Sequence, residues 1–145
     1  MRSIVFESLG SVALRELPEP ELLAPTDAIV RITATTICGS DLHIVAGHMV
    51  PETGFPIGHE WVGVVTRVGD AVTRFAPGQR VTSPPAPWCG TCGTCRRGQT
   101  QRCERGGVLG SGPSMGGFGG AQSTSLRIAW ADHDLVAVPD GVSDR

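Results

Sequence analysis

Four cysteines lie close together in this chain in the pattern C-x2-C-x2-C-x7-C, at positions Cys89, Cys92, Cys95 and Cys103. Four thiolates with this spacing can surround one tetrahedral metal ion, and zinc most often occupies an all-sulfur site. The pattern therefore predicts a closed, structural zinc site in a lobe that spans residues 88–105. The arginines of this lobe are expected to offset the thiolate charge and to donate hydrogen bonds to the sulfurs. They are Arg96, Arg97, Arg102 and Arg105.

A second group of residues offers a different set of ligands. Cys38 follows a predicted strand and precedes a short predicted helix, whose dipole favours a thiolate. The run Gly58-His59-Glu60 places an imidazole beside a carboxylate. Catalytic zinc usually has three protein ligands and one open position, so Cys38 and His59 are candidate ligands, and Glu60 is either the third or a neighbour that exchanges with water. Asp41 is the local carboxylate that can accept the other N–H of His59. Taken singly, such a cysteine and histidine are more often structural.

The rest of the chain predicts a strand-rich fold to hold these groups. It contains 20 glycines and 11 prolines, and its apolar residues mostly alternate or occur in short β-branched runs. The predicted strands are Met1–Phe6, Ser11–Leu17, 28–35, Trp61–Val68, Arg80–Ser83, Ser123–Ile128 and Leu135–Val138. One helix is predicted over Ser40–Ala46, with Ser40 as its N-cap and Gly47 as its stop. Many short strands with turn signals between them indicate a barrel or a sandwich.

Length and composition narrow the class of protein. The 145 residues suit one domain, and a net charge of -2 with a pI near 6.0 does not favour a nucleic-acid partner. No apolar run approaches the roughly 20 residues of a membrane span, and the first residues lack the apolar core of a signal peptide. We therefore expect a cytoplasmic protein without a membrane partner, whose five cysteines bind metal and do not form disulfides.

Several runs together resemble the zinc-containing alcohol dehydrogenases of the medium-chain dehydrogenase/reductase superfamily. These are TTICGSDLH, PIGHEWVGVVTRVG, APGQRV and the four-cysteine lobe, in this order. The most specific element is G-H-E-x2-G-x5-G, which begins at Gly58. The segment GAQSTSLRIAWADHDLVAVPDGVSD is similar to polyol-, threonine- and formaldehyde-dehydrogenase-like members, although Ser123-Thr124-Ser125 stands where Ala-Glu-Tyr is usual. Gln79 likewise replaces a common Asp. The resemblance implies a mainly β, GroES-like, partly open barrel with short helices and a four-cysteine zinc lobe.

The resemblance also implies a reaction and roles for individual residues. Cys38 and His59 would be ligands of a catalytic zinc, with Glu60 as a further ligand or a carboxylate beside it. Ser40 would take the proton of an alcohol and pass it toward His43 and solvent, while Asp41 orients His59. Hydride would move to NAD or NADP, giving an aldehyde or ketone. The substrate would be a small-molecule alcohol, and the complete enzyme would be a homodimer or homotetramer with two zinc ions per chain.

No glycine fingerprint of a dinucleotide-binding fold follows a predicted strand in this sequence. We therefore expect residues 1–145 to be the GroES-like N-terminal domain alone, without the NAD(P)-binding Rossmann domain and inactive in isolation. By resemblance, that domain and a further zinc ligand would follow Arg145. Three alternatives remain open: a zinc-binding module without catalysis, a zinc-free quinone-reductase-like relative, and a zinc ribbon whose arginines bind nucleic-acid phosphates.

Overall fold

Two antiparallel sheets form the frame of the computed structural model, which describes residues 1–144. Its eight strands are β1 (Arg2–Ser8), β2 (Ser11–Glu16), β3 (Ala28–Thr35), β4 (Phe55–Pro56), β5 (Trp61–Val68), β6 (Arg80–Thr82), β7 (Ser125–Ile128) and β8 (Val136–Ala137). The short α-helices are α1 (Gly39–Val45), α2 (Gly93–Arg96) and α3 (Ala131–Asp134), and 3-10 turns lie at Thr100–Arg102 and Pro113–Met115. The sheet orders are β2-β1-β4 and β7-β3-β5-β6-β8. The prediction of a mainly β chain with short helices is confirmed.

The pairing of β3 with β5 forms the centre of the larger sheet. Thr35, the last residue of β3, lies opposite Trp61, the first residue of β5, and the register shifts twice farther along the ladder. Gly63 lies where the strands approach closely, because a Cβ there would be 2.6 Å from the carbonyl oxygen of Arg31. Antiparallel pairing thus brings the end of β3 and the start of β5 to one edge of the sheet. The residues that follow β3 and those that precede β5 must meet there.

Two clusters of buried apolar side chains support the two sheets. The larger cluster includes Val30, Trp61, Val81, Leu109 and Leu126, and it lies against the five-stranded sheet. The smaller cluster includes Phe6, Ile44, Val50, Phe55 and Ile57. Through Ile44, which is fully buried, the smaller cluster fixes helix α1 against the smaller sheet. None of the helices in residues 1–144 has the length and apolar character needed to cross a lipid bilayer.

The start of α1 differs from the prediction. The sequence favoured Ser40 as the N-cap, but the helix begins at Gly39 and its N-cap is Cys38. The physical reason is the Asp41 carboxylate, which accepts the backbone N–H of Cys38 at 2.9 Å and so places the N-cap two residues earlier. The predicted stop is confirmed, because α1 ends at Val45 and Gly47 follows with a φ of +76°.

Two candidate metal centres

Cys38, His59 and Glu60 come together at the sheet edge where β3 ends and β5 begins. Their ligand atoms all lie within 4.8 Å of one another, as three ligands of one ion require. Two hydrogen bonds hold the end of β3 against Glu60. Thr36 donates its backbone N–H and Thr35 its hydroxyl to the carbonyl oxygen of Glu60. His59 is buried, Cys38 is half-buried and Glu60 is exposed, so the cluster opens to solvent on its carboxylate side.

The two ring nitrogens of His59 have different surroundings. Nε2 lies 3.0 Å from the hydroxyl oxygen of Ser40. Nδ1 lies 3.5 Å from Oδ1 of Asp41, and both of these buried atoms lack any other partner among residues 1–144. A proton on Nδ1, directed at the carboxylate, leaves the lone pair of Nε2 to accept the Ser40 hydroxyl or to bind an ion. The orphaned pair therefore fits the tautomer that a metal on Nε2 requires.

Asp41 connects the two candidate ligands through one buried carboxylate. Its Oδ2 accepts the backbone N–H of Cys38 at 2.9 Å and the side-chain amide of Gln122 at 3.1 Å, while Oδ1 faces His59. The side chain is 2% exposed, so bulk water cannot replace these contacts. Sequence reasoning identified Asp41 but missed Gln122. The only available signal was its place in the G-A-Q run, because the contact spans 81 residues of sequence.

His43 lies on α1 three residues after Ser40, and two positions with this spacing share one face of a helix. His43 is exposed, and its ring centroid lies 5.8 Å from that of His48, which is also exposed. Ser40, in contrast, is half-buried beside His59. The helix therefore extends from a half-buried hydroxyl at the ligand cluster to an imidazole in contact with solvent.

The four lobe cysteines form a second, separate cluster. Their sulfurs all lie within 4.8 Å of one another, and those of Cys92 and Cys103 are 3.9 Å apart. Helix α2 begins directly after Cys92 and carries Cys95, and a spacing of three residues favours one face of the turn for both. All four are free thiols. Four sulfurs within this distance of one another fit a closed zinc site.

The pKa values of the lobe thiols also favour a bound cation. Burial opposes ionisation of Cys89, but hydrogen bonds from Thr91, Cys92 and Arg105 outweigh it and lower the pKa of this thiol to about 5. Burial and the neighbouring Cys92 raise the pKa of Cys95 to about 12. Sulfurs this close cannot all ionise without a compensating charge, and a divalent cation supplies that charge.

Arg105 is the lobe arginine that contacts the cysteines directly. Its guanidinium donates to Cys89 and to the hydroxyl of Thr91, and the nearby thiolate raises the pKa of Arg105. Its Cζ also lies 5.9 Å from the ring centroid of Trp130. The other three arginines of the predicted set are exposed on the lobe surface. For them, the role in balancing thiolate charge stays a prediction.

The segment that contains α3 connects the lobe to the barrel. Asp134 accepts the backbone N–H of Trp88 at 3.0 Å, and the Trp88 ring lies 5.1 Å from that of His133. Gly90 leaves room for this histidine, because a Cβ there would be 2.5 Å from Nε2 of His133. Burial raises the pKa of Asp134 to about 7. Trp88 therefore packs between the lobe and the barrel.

A strand-rich barrel with an open Cys–His–Glu cluster and a closed four-cysteine lobe is typical of a zinc-binding GroES-like domain. The family model described as the alcohol dehydrogenase GroES-like domain matches residues 24–140, which is most of the chain. The chain therefore belongs to the alcohol dehydrogenase GroES-like domain family, and the predicted membership and fold class are confirmed.

Curated relatives and solved structures agree with this assignment. The chain is 39% identical to a medium chain reductase/dehydrogenase of Acremonium sp over 99% of its length and 48% of the relative's. It is 37% identical to the zinc-type alcohol dehydrogenase B of Aspergillus flavus, of which it covers 33%. The alcohol dehydrogenase TADH from Thermus sp. ATN1 superposes with a TM-score of 0.96 at 43% identity, covering 99% of this chain and 42% of that structure. The chain thus spans less than half the length of each of these three proteins.

Proposed function

We propose that this chain forms the metal-binding part of a zinc-dependent oxidoreductase that converts a small-molecule alcohol to an aldehyde or ketone. The single observation that carries the proposal is the convergence of Cys38, His59 and Glu60 with the Ser40 hydroxyl at one half-open sheet edge. The likeness to proteins named zinc-type alcohol dehydrogenases supports the reaction class. A binding module would need no hydroxyl directed at the ligand cluster.

The residues of the open site have distinct roles in this proposal. Cys38, His59 and Glu60 would hold the zinc ion, which acts as a Lewis acid that makes an alcohol hydroxyl more acidic. Ser40 would accept the proton that the alcohol loses, and His43 would pass it to solvent from the exposed side of α1. Asp41 holds the Nδ1–H tautomer of His59. The lobe cysteines would hold the second zinc, which stabilises the fold.

The remaining details of the proposal rest on the resemblance. NAD or NADP would receive the hydride in a domain beyond the described residues, and the complete protein would be a homodimer or homotetramer. We propose a cytoplasmic location because cysteines that ligate metal must stay reduced, and a reducing compartment keeps them so.

Elemental analysis of zinc in protein purified without chelator or added metal tests the open site. We expect two zinc ions per chain in the wild type and one in Cys38→Ser, with a melting temperature close to wild type because Cys38 lies at the edge of the barrel. One zinc in the wild type would fit either an open site that needs its further ligand or a zinc-binding module without catalysis. A large loss of stability in Cys38→Ser would show that Cys38 is a core residue and not a ligand. Turnover of an alcohol and NAD(P)+ by the pure 145-residue chain would contradict the need for a separate coenzyme domain.

A further inference from the structure

We propose that Gln122 is a positioning residue for the open site, acting through Asp41 on His59; the inference rests on the proposed function. The side-chain amide of Gln122 lies 3.1 Å from Oδ2 of Asp41. A carboxylate can only accept here, so the amide nitrogen is the atom that faces it. Gln122 touches none of the candidate ligand atoms in the described contacts, and its effect must pass through the carboxylate.

The hydrogen bonds of Asp41 explain why this contact matters. Oδ2 has two donors, the backbone N–H of Cys38 and the amide of Gln122, whereas Oδ1 has only Nδ1 of His59, 3.5 Å away. The two donors on one oxygen fix the plane of the carboxylate, and that plane directs Oδ1 at the imidazole. Without the amide, the carboxylate is held by one backbone donor and can rotate about its side-chain torsions. The partner of Nδ1 is then no longer fixed.

Gln122 is itself attached to the segment that carries His59. Its backbone N–H donates to the carbonyl oxygen of Ile57 at 2.9 Å, and its carbonyl oxygen accepts the N–H of Ile4 at 2.8 Å. Its side-chain stem passes directly over Gly58, where an added Cβ would lie 2.5 Å from Cγ of Gln122. The amide therefore holds a fixed position relative to residue 59. This arrangement makes Gln122 a rigid support for Asp41 and not a mobile surface side chain.

Groups that orient a ligating histidine commonly change metal affinity by about 10–100-fold when they are removed. Gln122→Met tests the donor, because methionine has a similar length and keeps the backbone contacts but donates no hydrogen bond. Gln101→Met is the matched control, since Gln101 is exposed in the lobe, away from the open site. The test uses two measurements. The first is the His59 tautomer, by NMR of metal-free protein at a pH where the ring is neutral. The second is cadmium binding by cadmium NMR, which separates the four-sulfur site from the mixed site of sulfur, nitrogen and oxygen ligands.

We expect wild type and Gln101→Met to carry the His59 proton on Nδ1, and Gln122→Met to shift it toward Nε2. In the same variant, cadmium affinity at the mixed site should fall by about 10–100-fold, while the four-sulfur signal stays unchanged as an internal control. In an Asp41→Asn background, Gln122→Met should have no further effect. Gln122→Lys, which restores a donor but adds a positive charge, should keep the wild-type tautomer.

An unchanged tautomer and an unchanged mixed-site affinity in folded Gln122→Met would overturn the inference. If Gln122→Met does not fold, Gln122→Lys decides: a wild-type tautomer supports the role of the donor, and a shifted one shows that Gln122 acts by packing alone. Absence of a mixed-site cadmium signal in the wild type would count against the proposed function. It would leave the comparison of tautomers as a separate test of Gln122.

Discussion

Replacing Gly58 by alanine should destabilise the barrel and also disturb the open site. Gly58 precedes His59, has a φ of +98° and is buried against Gln122. An alanine Cβ at this position would lie 2.5 Å from Cγ of Gln122 and 2.7 Å from its backbone nitrogen. The backbone nitrogen cannot move away cheaply, because it donates to the carbonyl oxygen of Ile57. Gly78 supplies the matched control, with a φ of +95° and nothing within 4 Å of an added Cβ.

The size of the effect follows from two separate costs. A non-glycine residue in the left-handed region costs about 1–2 kcal/mol, and both variants incur this cost. Overpacking a tightly filled site adds about 1–3 kcal/mol, and only Gly58→Ala incurs that cost. We therefore expect a loss of about 1–2 kcal/mol for Gly78→Ala and about 2–5 kcal/mol for Gly58→Ala. For a chain of this length, each kcal/mol lowers the melting temperature by about 3 °C.

Urea unfolding of the wild type and both variants, followed by circular dichroism, measures these losses. The free zinc concentration must be buffered at one value, because a ligand that binds only the folded state shifts the apparent stability. Elemental analysis of the same samples reports on the open site, where Gly58→Ala should lower occupancy and Gly78→Ala should not. Equal stability losses in the two variants would refute the close approach of Gln122 to Gly58. A normal metal content in Gly58→Ala would show that the ligands do not depend on this packing.

Two further predictions concern the lobe and the link between α3 and the 72–75 loop. Cys92→Ser should lose one zinc per chain and melt at a lower temperature, because a structural zinc contributes folding energy directly; a wild-type melting curve would show that the lobe does not need the ion. Asp132→Asn should lower the free energy of unfolding at neutral pH by about 1–3 kcal/mol, because Asp132 accepts hydrogen bonds from Thr73 and Arg74. Burial opposes ionisation of Asp132, but these hydrogen bonds outweigh it and lower the pKa of the carboxyl. The stabilisation from Asp132 is therefore complete above the unfolded-state pKa. It is lost as the pH falls through the folded-state pKa. The free energies of unfolding of the wild type and Asp132→Asn should then converge in acid. A difference in stability that is constant with pH would refute this role of Asp132.

The sheet was predictable where a local pattern and the tertiary environment agree. The alternation in β3 and the β-branched run of β5 identified both strands, and the structure has β3 and β5 at those positions. Strand β4 (Phe55–Pro56) was missed because two residues that include a proline carry no strand signal. It forms because Val5 and Phe6 of β1 provide a backbone to pair with. Tertiary pairing, and not local propensity, decides such a short strand.

The two candidate metal centres differ in how much of each can be inferred from the sequence, and the difference has a physical origin. The lobe sulfurs belong to one short segment, so their spacing alone predicts their convergence. Four sulfurs this close can ionise together only around a cation, so we expect an ion to hold the cluster together. The open site is assembled by the pairing of β3 with β5 and by a carboxylate that a residue 81 positions away helps to hold. We therefore expect order in the open site to depend on the fold of the barrel before any metal binds, and order in the lobe to depend on the metal. Removal of zinc by a chelator should consequently unfold residues 88–105 first and leave Asp41 and His59 in place.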